Sequence, residues 1–288
     1  MNPLKKFVYG LNTELNTKRL VKQLKIQLTG NDDMYIVHQM GRVASMTMVN
    51  TLKSAMPDTP IYHTHYLNIP MLQQRIAEMD RKGQRHNQRH YQVSQALAPL
   101  LPQYLDEHHW KVVTVVRDPV ARNVSAFFLS IERYIPNFYR RFEQQQIAMP
   151  QVVELFLRDY NHNIPLEWLD DEIKMPFGVD VYQQPFAADR GYSIIHHNTV
   201  DLLILKLESL QSCYRDAFKE FVGIENASLQ DTHITKKDDT HGAYKSLLKV
   251  MRLPEEYLDR MYSSKYAAHF FTEREIDSFK HKWLNAEG

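Results

Sequence analysis

The chain has 288 residues, with 35 Lys and Arg against 34 Asp and Glu, and 43% of it is hydrophobic. This is an ordinary globular composition, and no whole-chain charge calls for nucleic acid. A single cysteine, Cys213, excludes a disulfide scaffold and a cysteine-based zinc site, and 9 glycines and 13 prolines exclude collagen-like and linker-like architectures.

Residues 1–30 carry Lys5, Lys6, Lys18, Arg19, Lys22 and Lys25 against Glu14 alone. Leu4, Val8, Leu11 and Leu15 recur at helical spacing. The pattern predicts a basic amphipathic helical extension, either packed at the domain edge or lying on an anionic surface. It lacks the apolar core and cleavage site of a secretory leader, and no run in the chain approaches the about 18 apolar residues of a membrane span. A cytoplasmic protein without a membrane span is the expectation.

A turn cluster from Thr29 to Asp33 opens the main unit, read as one domain over 31–288. Met34-Tyr35-Ile36-Val37 predicts a short buried strand, and Ser45 to Met56 a helix stopped by Pro57. Ile61-Tyr62 predicts a second strand. Residues 67–106 read as mostly helical, punctuated by Pro70, Pro99 and Pro102. Lys111 to Val116 is the strongest strand signal. Asp118-Pro119 starts a helix, with Asp as its cap and Pro in the first turn. Leu202 to Leu205 predicts another buried strand, followed by a helix from about 209 to 222 with Leu210, Cys213, Tyr214, Ala217 and Phe221 on one face. Cys213 therefore reads as a core residue. Residues 242–285 read as helical. Apolar strands alternating with helices predict an α/β fold, a three-layer arrangement with a central, mainly parallel sheet flanked by helices.

Open parallel sheets place ligands at the carboxyl ends of their strands. After the first strand comes His38-Gln39-Met40-Gly41-Arg42-Val43-Ala44-Ser45-Met46-Thr47. Small residues and one cation at a strand-to-helix turn suit an anion, because backbone N–H groups and the helix end point at it. The spacing of a nucleotide triphosphatase loop, GxxxxGK[ST], is missing. After the third strand comes Arg117-Asp118-Pro119-Val120-Ala121-Arg122-Asn123-Val124-Ser125-Ala126-Phe127-Phe128. Arg117 can hold a phosphate through its planar fork, and Ser125 can offer a hydroxyl.

This pair of turns resembles the sulfotransferases that use 3′-phosphoadenosine 5′-phosphosulfate (PAPS). Arg42-Val43-Ala44-Ser45-Met46-Thr47 fits their 5′-phosphosulfate loop, [K/R]-x-[G/A]-[S/T]-x-[S/T], and residues 117–128 fit their 3′-phosphate motif, R-D-P-x-x-R-x-x-S-x-x-[F/Y], at every fixed position. Leu203 to Leu210 resembles the family's strand ending in an acidic residue, and the segments 262–266 and 269–272 resemble bacterial sulfotransferase-like proteins of capsular polysaccharide synthesis. The resemblance spans roughly 34–285. It implies a P-loop-like fold, PAPS as donor, no metal, and an acceptor hydroxyl on a saccharide. In it Arg42 and the amides of residues 42–47 hold the phosphosulfate, and Arg117 and Ser125 hold the 3′-phosphate. Many relatives have Lys at the position of Arg42; Arg keeps the charge there but cannot serve as an acid.

Tyr62-His63-Thr64-His65 is similar to the Tyr-His-x-His run of heparan 2-O-sulfotransferases, in which a histidine of the pair is the general base. This implies His65, or else His63, as the base, with activity falling near the ordinary histidine value of about 6.5. Arg75, Arg81, Lys82, Arg85 and Arg89 form a basic run that suits either a solvated helix face or a polyanionic acceptor. His108-His109 and His196-His197 have no assigned role. Two other readings stand beside this one: a P-loop-type nucleotide-dependent kinase, and an inactive protein of the same fold that binds adenosine 3′,5′-bisphosphate or a polyanion.

Overall fold

A computed structural model describes residues 16–30, 32–81, 88–230 and 239–285. Five strands, β1 (Met34–His38), β2 (Ile61–Thr64), β3 (Trp110–Val116), β4 (Tyr192–His197) and β5 (Val200–Lys206), form one sheet in the order β2-β1-β3-β5-β4. The first four positions run parallel, and β4 pairs antiparallel with β5 at the edge. β1, β3 and β5 are almost wholly buried, as their unbroken apolar runs require of strands covered on both faces. The predicted strands are all present, each longer by one to three residues. The sequence reading did not find β4, whose Ser193, His196 and His197 dilute the apolar signal.

Helices flank the sheet. A helix over 16–27 (α1) buries Leu20 and Leu24, with Leu28 just beyond, in the same core as the strands. This stretch of the basic extension packs at the domain edge; Leu4, Val8, Leu11 and Leu15 lie outside the described residues. After it come α2 (Ser45–Ala55), α3 (Ile69–Arg81), α4 (Arg89–Leu97), α5 (Leu101–Tyr104) and α6 (Pro119–Leu129). The segment absent from the sequence reading holds α7 (Phe138–Glu143), α8 (Met149–Asp159), α9 (Ile164–Leu169), a π-turn over Asp170–Lys174 and α10 (Met175–Phe177). α11 (Leu210–Val222) carries the predicted apolar face, all of it buried, and burial pushes the Cys213 thiol up to about 11, as a core residue requires. The C-terminal part folds as α12 (Asp239–Val250), α13 (Glu255–Tyr262), α14 (Lys265–Phe270) and α15 (Glu273–Leu284).

Two apolar clusters fill the molecule. One joins the sheet to α1, α2, α4 and α11. The other gathers α8, α12 and α13 around Val120, Val124, Phe127 and Phe128 of α6. The chain leaves β1 toward β2 on one side and returns as β3 on the other. The reversal opens a crevice at the carboxyl ends of β1 and β3, where sheets of this kind take ligands. Among the described residues no helix is long and apolar enough to cross a membrane.

Candidate functional site

The turn from β1 to α2 lies at this crevice. Arg42 and Ala44 hold left-handed backbone, at φ 75° and 60°, whereas Gly41 does not. Left-handed backbone costs a residue with a side chain about 1–2 kcal/mol, so the fold maintains strain in this turn. Ala44 is the N-cap of α2 and offers no side-chain acceptor, and the first turn of the helix holds no acidic residue. The first bond back along the helix runs from the Met48 N–H to the Ala44 oxygen. The amides of residues 45–47 therefore precede the helix's own ladder, at its positive end.

Three guanidinium groups converge on this turn. Arg42 Nε donates to Ser125 Oγ at 2.9 Å. Arg117 donates from one terminal nitrogen to the Arg42 carbonyl at 2.8 Å, and Arg122 Nε donates to the Gly41 carbonyl at 3.2 Å. Among the described residues no carboxylate pairs with any of the three. Among the described residues Arg122 finds neutral partners besides Gly41, namely the Asn123 amide oxygen and the Tyr160 hydroxyl. Burial, and then the neighbouring Arg117 guanidinium, lower the pKa of Arg42. Ser125 accepts from Arg42, which leaves its own O–H to donate elsewhere. The structure thus brings Arg42, Arg117 and Ser125 together, but Ser125 sits against Arg42 rather than sharing one partner with Arg117.

The R-D-P turn is held from behind by the C-terminal helices. Asp118 caps α6 by accepting the Val120 N–H, as predicted, and also accepts the Tyr262 hydroxyl at 2.9 Å. Tyr266, four residues later at the start of α14, accepts the Arg117 N–H and donates to the Arg117 carbonyl. Glu208, after β5, accepts the Asp118 N–H at 2.8 Å, and burial pushes its carboxyl up to about 7.

On the β2 side of the same turn three imidazoles meet. The rings of His63 and His65 lie 4.6 Å apart, and His90 of α4 completes the cluster at 5.5 Å and 4.5 Å from them. Burial holds all three in the neutral form, with repulsion from neighbouring imidazoles adding to it at His63 and His65: His63 is brought down to about 3, His90 to about 4, and His65 well below the ordinary value. The pKa near neutrality expected for the base is therefore corrected downward. His65 Nδ1 donates to the Gln39 carbonyl, which leaves the lone pair on Nε2. His63 Nε2 is buried with no partner among the described residues, as are both ends of the Gln39 side chain. Among those residues no group of His, Cys, Asp or Glu side chains is arranged to hold a metal ion.

The segment bearing His65 is fixed by Glu172 of the π-turn, whose carboxylate accepts the N–H groups of Leu67 and Asn68 at 2.6 and 3.0 Å. His38 lies 3.5 Å from the same carboxylate, donates to the Glu172 carbonyl and accepts from Thr64. Sequence reasoning missed Arg122, His90, Glu172, Tyr262 and Tyr266 as parts of the site. Arg122 was legible as the second fixed arginine of R-D-P-x-x-R, and Tyr262 and Tyr266 lie in the segment 262–266 already singled out by resemblance; His90 and Glu172 carry no local signal.

The basic run does not form one stripe. Arg75 turns inward to Glu78 and Tyr91, Arg81 and Arg89 are exposed, and Lys82 and Arg85 lie outside the described residues. His109 and His196 pair with Asp201, and His108 with the Leu28 carbonyl, all structural contacts remote from the crevice.

Residues 144–272 match the family model described as "Putative capsular polysaccharide synthesis protein". The matched stretch contains Glu172, Glu208, Tyr262 and Tyr266, while Arg42, His63, His65, Arg117 and Ser125 precede it. The match supports a relation to a capsular-polysaccharide-related family. The chain matches no curated protein and no solved structure.

Proposed function

We propose that this chain is a PAPS-dependent sulfotransferase acting on a saccharide hydroxyl, with a P-loop-like cradle at the β1–α2 turn. The observation that carries the reading is the convergence of Arg42, Arg117 and Arg122 on one strained turn, with no ion pair to a carboxylate among the described residues. Three clustered, partly buried like charges oppose folding unless an anion completes them, and the positive end of α2 adds to the same field. The orphaned Gln39 amide beneath the turn likewise fits a site that another group completes. The donor set is all cationic or neutral, which suits a bisphosphate and a sulfuryl group. The relation to a capsular-polysaccharide family supports a sugar acceptor.

PAPS supplies an activated sulfuryl group, transferred to the acceptor oxygen as the bond to the 5′-phosphate breaks. Arg42 and the amides of residues 42–47 would hold the 5′-phosphosulfate and offset charge growing on the leaving oxygen. Arg117 would fork onto the 3′-phosphate, and Ser125 would add its free O–H while keeping Arg42 in place. His65 Nε2 would take the acceptor's proton, its tautomer set by the Gln39 carbonyl. As in phosphoryl transfer, positioning and charge stabilisation carry most of the work.

The test is transfer of labelled sulfate from PAPS to a panel of polysaccharides, oligosaccharides and phenols, with labelled ATP in parallel. Transfer from PAPS to sugars supports the reading. Transfer from ATP points to a kinase. Tight adenosine 3′,5′-bisphosphate binding without any turnover points to an inactive binder.

A further inference from the structure

The helix that runs from α9 to α10 is not regular. Its middle, Asp170–Lys174, widens into the π-turn, with Glu172 at the centre. Such turns are rare inside helices and recur at functional sites. Glu172 is wholly buried, and a buried carboxyl group is costly unless it is hydrogen-bonded. One oxygen, Oε2, accepts both the Leu67 N–H at 2.6 Å and the Asn68 N–H at 3.0 Å, whereas Oε1 has no partner among the described residues. Asn68 adds a further bond to the same turn, from its side-chain Nδ2 to the Asp171 carbonyl at 3.0 Å.

The turn also reaches the end of β1. His38, the last residue of that strand, is wholly buried. A carbonyl oxygen can only accept, so the His38 Nε2 that faces the Glu172 carbonyl at 2.8 Å carries the proton. Its Nδ1 then accepts the Thr64 hydroxyl, also at 2.8 Å. The ring lies between Trp168 at 5.0 Å and Phe177 at 5.8 Å, one from each side of the π-turn.

His65 sits between these anchors. Thr64 before it is held by His38, and Leu67 and Asn68 after it are held by Glu172. Its own Nδ1 donates to the carbonyl of Gln39, the residue next to His38. The Gln39 N–H in turn donates to the Thr64 carbonyl at 3.3 Å. Removing the Glu172 carboxyl would free the amides of Leu67 and Asn68. The His65 ring would then keep its Gln39 contact on a backbone no longer fixed from the far side.

Resting on the sulfotransferase reading, we propose that Glu172 is a positioning residue: it clamps the segment after β2 to the end of β1 and so fixes the His65 ring against the cradle. It acts as a hydrogen-bond acceptor, since one oxygen takes both amides. The effect on rate is large, because a reacting group misplaced by about 1 Å can lose about 10²-fold. The clamp lies within the stretch 144–272 that matches the family model, while both turns that it joins precede that stretch.

Nitrogen NMR of histidine-labelled protein reads the His65 tautomer, and kinetics with PAPS and calorimetry with adenosine 3′,5′-bisphosphate read its consequence. In the wild type His65 should show a protonated Nδ1 and a bare Nε2, its signals being identified by their loss in His65→Gln. In Glu172→Ala the ring should sample both tautomers. Turnover should fall by about 10²-fold, with KM for PAPS and bisphosphate affinity within about twofold of the wild type. Glu172→Gln keeps the one oxygen that the two amides need, so it should restore the single tautomer and recover most of the turnover. Should Glu172→Ala fail to fold, Asn68→Ala, at a half-buried position, removes only the side-chain bond to Asp171. It should then shift tautomer and turnover in the same direction, to a smaller extent. An unchanged His65 tautomer in the alanine variant overturns the clamp. So does a loss of turnover that Glu172→Gln does not repair, or an equal loss of bisphosphate affinity. A wild type that transfers no sulfuryl group to any acceptor overturns the sulfotransferase reading instead, and the tautomer then decides the clamp by itself.

Discussion

Arg42 and Ser125 meet across 83 residues of sequence, with the guanidinium Nε donating to the hydroxyl at 2.9 Å. The contact ties the strained β1–α2 turn to the middle of α6, so the two turns of the candidate site form one object. A hydroxyl is a neutral acceptor. It orients the guanidinium without cancelling its charge, and a carboxylate in the same place would have closed the site.

Arg42→Ala should therefore reduce turnover by about 10²–10³-fold, the usual cost of losing one electrostatic contact to charge developing in the transition state. Binding of adenosine 3′,5′-bisphosphate, which lacks the sulfuryl group, should weaken far less. Arg42→Lys should keep most of the activity. Steady-state kinetics alongside calorimetry separates the two effects, and an Arg42→Ala enzyme with wild-type turnover would reduce the residue to scaffolding.

Arg117 is held at its backbone by Tyr266, while its guanidinium uses one terminal nitrogen on the Arg42 carbonyl and keeps further N–H groups for a ligand. Charge-assisted hydrogen bonds contribute about 1.5–3 kcal/mol, or roughly ten- to a hundredfold in affinity. The wild type should prefer adenosine 3′,5′-bisphosphate over AMP by that factor, and Arg117→Ala should erase most of the preference. Equal affinity of the wild type for both nucleotides would remove the 3′-phosphate assignment.

Asp118 carries the stability of the R-D-P turn. Its buried carboxyl caps α6 and accepts the Tyr262 hydroxyl and, at 3.4 Å, the Trp283 indole N–H. Asp118→Ala loses a cap and leaves a buried hydroxyl unpaired, for about 2–4 kcal/mol together. Asp118→Asn, which retains an acceptor, should cost less. Urea denaturation measures both; similar midpoints for Asp118→Ala and wild type would show that the turn is held by packing alone.

The sheet, the anion turn, the R-D-P turn and the Asp118 cap were legible because each is written in a few neighbouring residues. A buried strand shows as an unbroken apolar run, and a cap as Asp followed by Pro. His63 and His65 were legible because a two-residue spacing at a strand end keeps both side chains near one another. His90 and Glu172 were not, since each reaches the site from a separate helix and looks locally like any other residue of that helix; the segment of Tyr262 and Tyr266 stood out by resemblance, but their contacts with the R-D-P turn arise only on folding. The pKa of the histidine cluster was hidden for the same reason: burial and the third imidazole lower it, and both arise only on folding.

That cluster should make the fold acid-labile. His63 titrates at about 3 and His90 at about 4 in the folded chain, against about 6.5 for an unfolded histidine. Between these values the unfolded chain binds more protons than the folded one. The stability contribution is therefore complete above about pH 6.5 and is lost as pH falls toward 4 and then 3. The charges that face His63 are those of His38, His90 and Lys53, and none of them is an acid that would offset the effect. His90→Gln should flatten the dependence of the urea midpoint on pH across this window. A wild-type midpoint constant down to about pH 4.5 would contradict the neutral cluster.

In the proposed reaction His65 takes the acceptor's proton, and its surroundings decide how the rate depends on pH. Its Nδ1–H is committed to the Gln39 carbonyl, at the start of the loop that Arg42 continues, so the lone pair on Nε2 is the basic site. Burial, then repulsion from His63 and His90, puts its pKa well below the ordinary value. Such an imidazole is already deprotonated at neutral pH, and so the rate should stay level from about pH 8 down past 6.5 rather than fall there. A positioned base is worth about 10²–10⁴-fold, so His65→Ala should lose sulfuryl transfer by that factor while adenosine 3′,5′-bisphosphate affinity stays within about twofold. His63 is the neighbouring alternative, with an unpartnered Nε2. If it serves instead, His63→Ala carries the larger loss and His65→Ala the smaller. Full turnover in both variants, with the wild-type pH profile retained, would place the base elsewhere in the crevice.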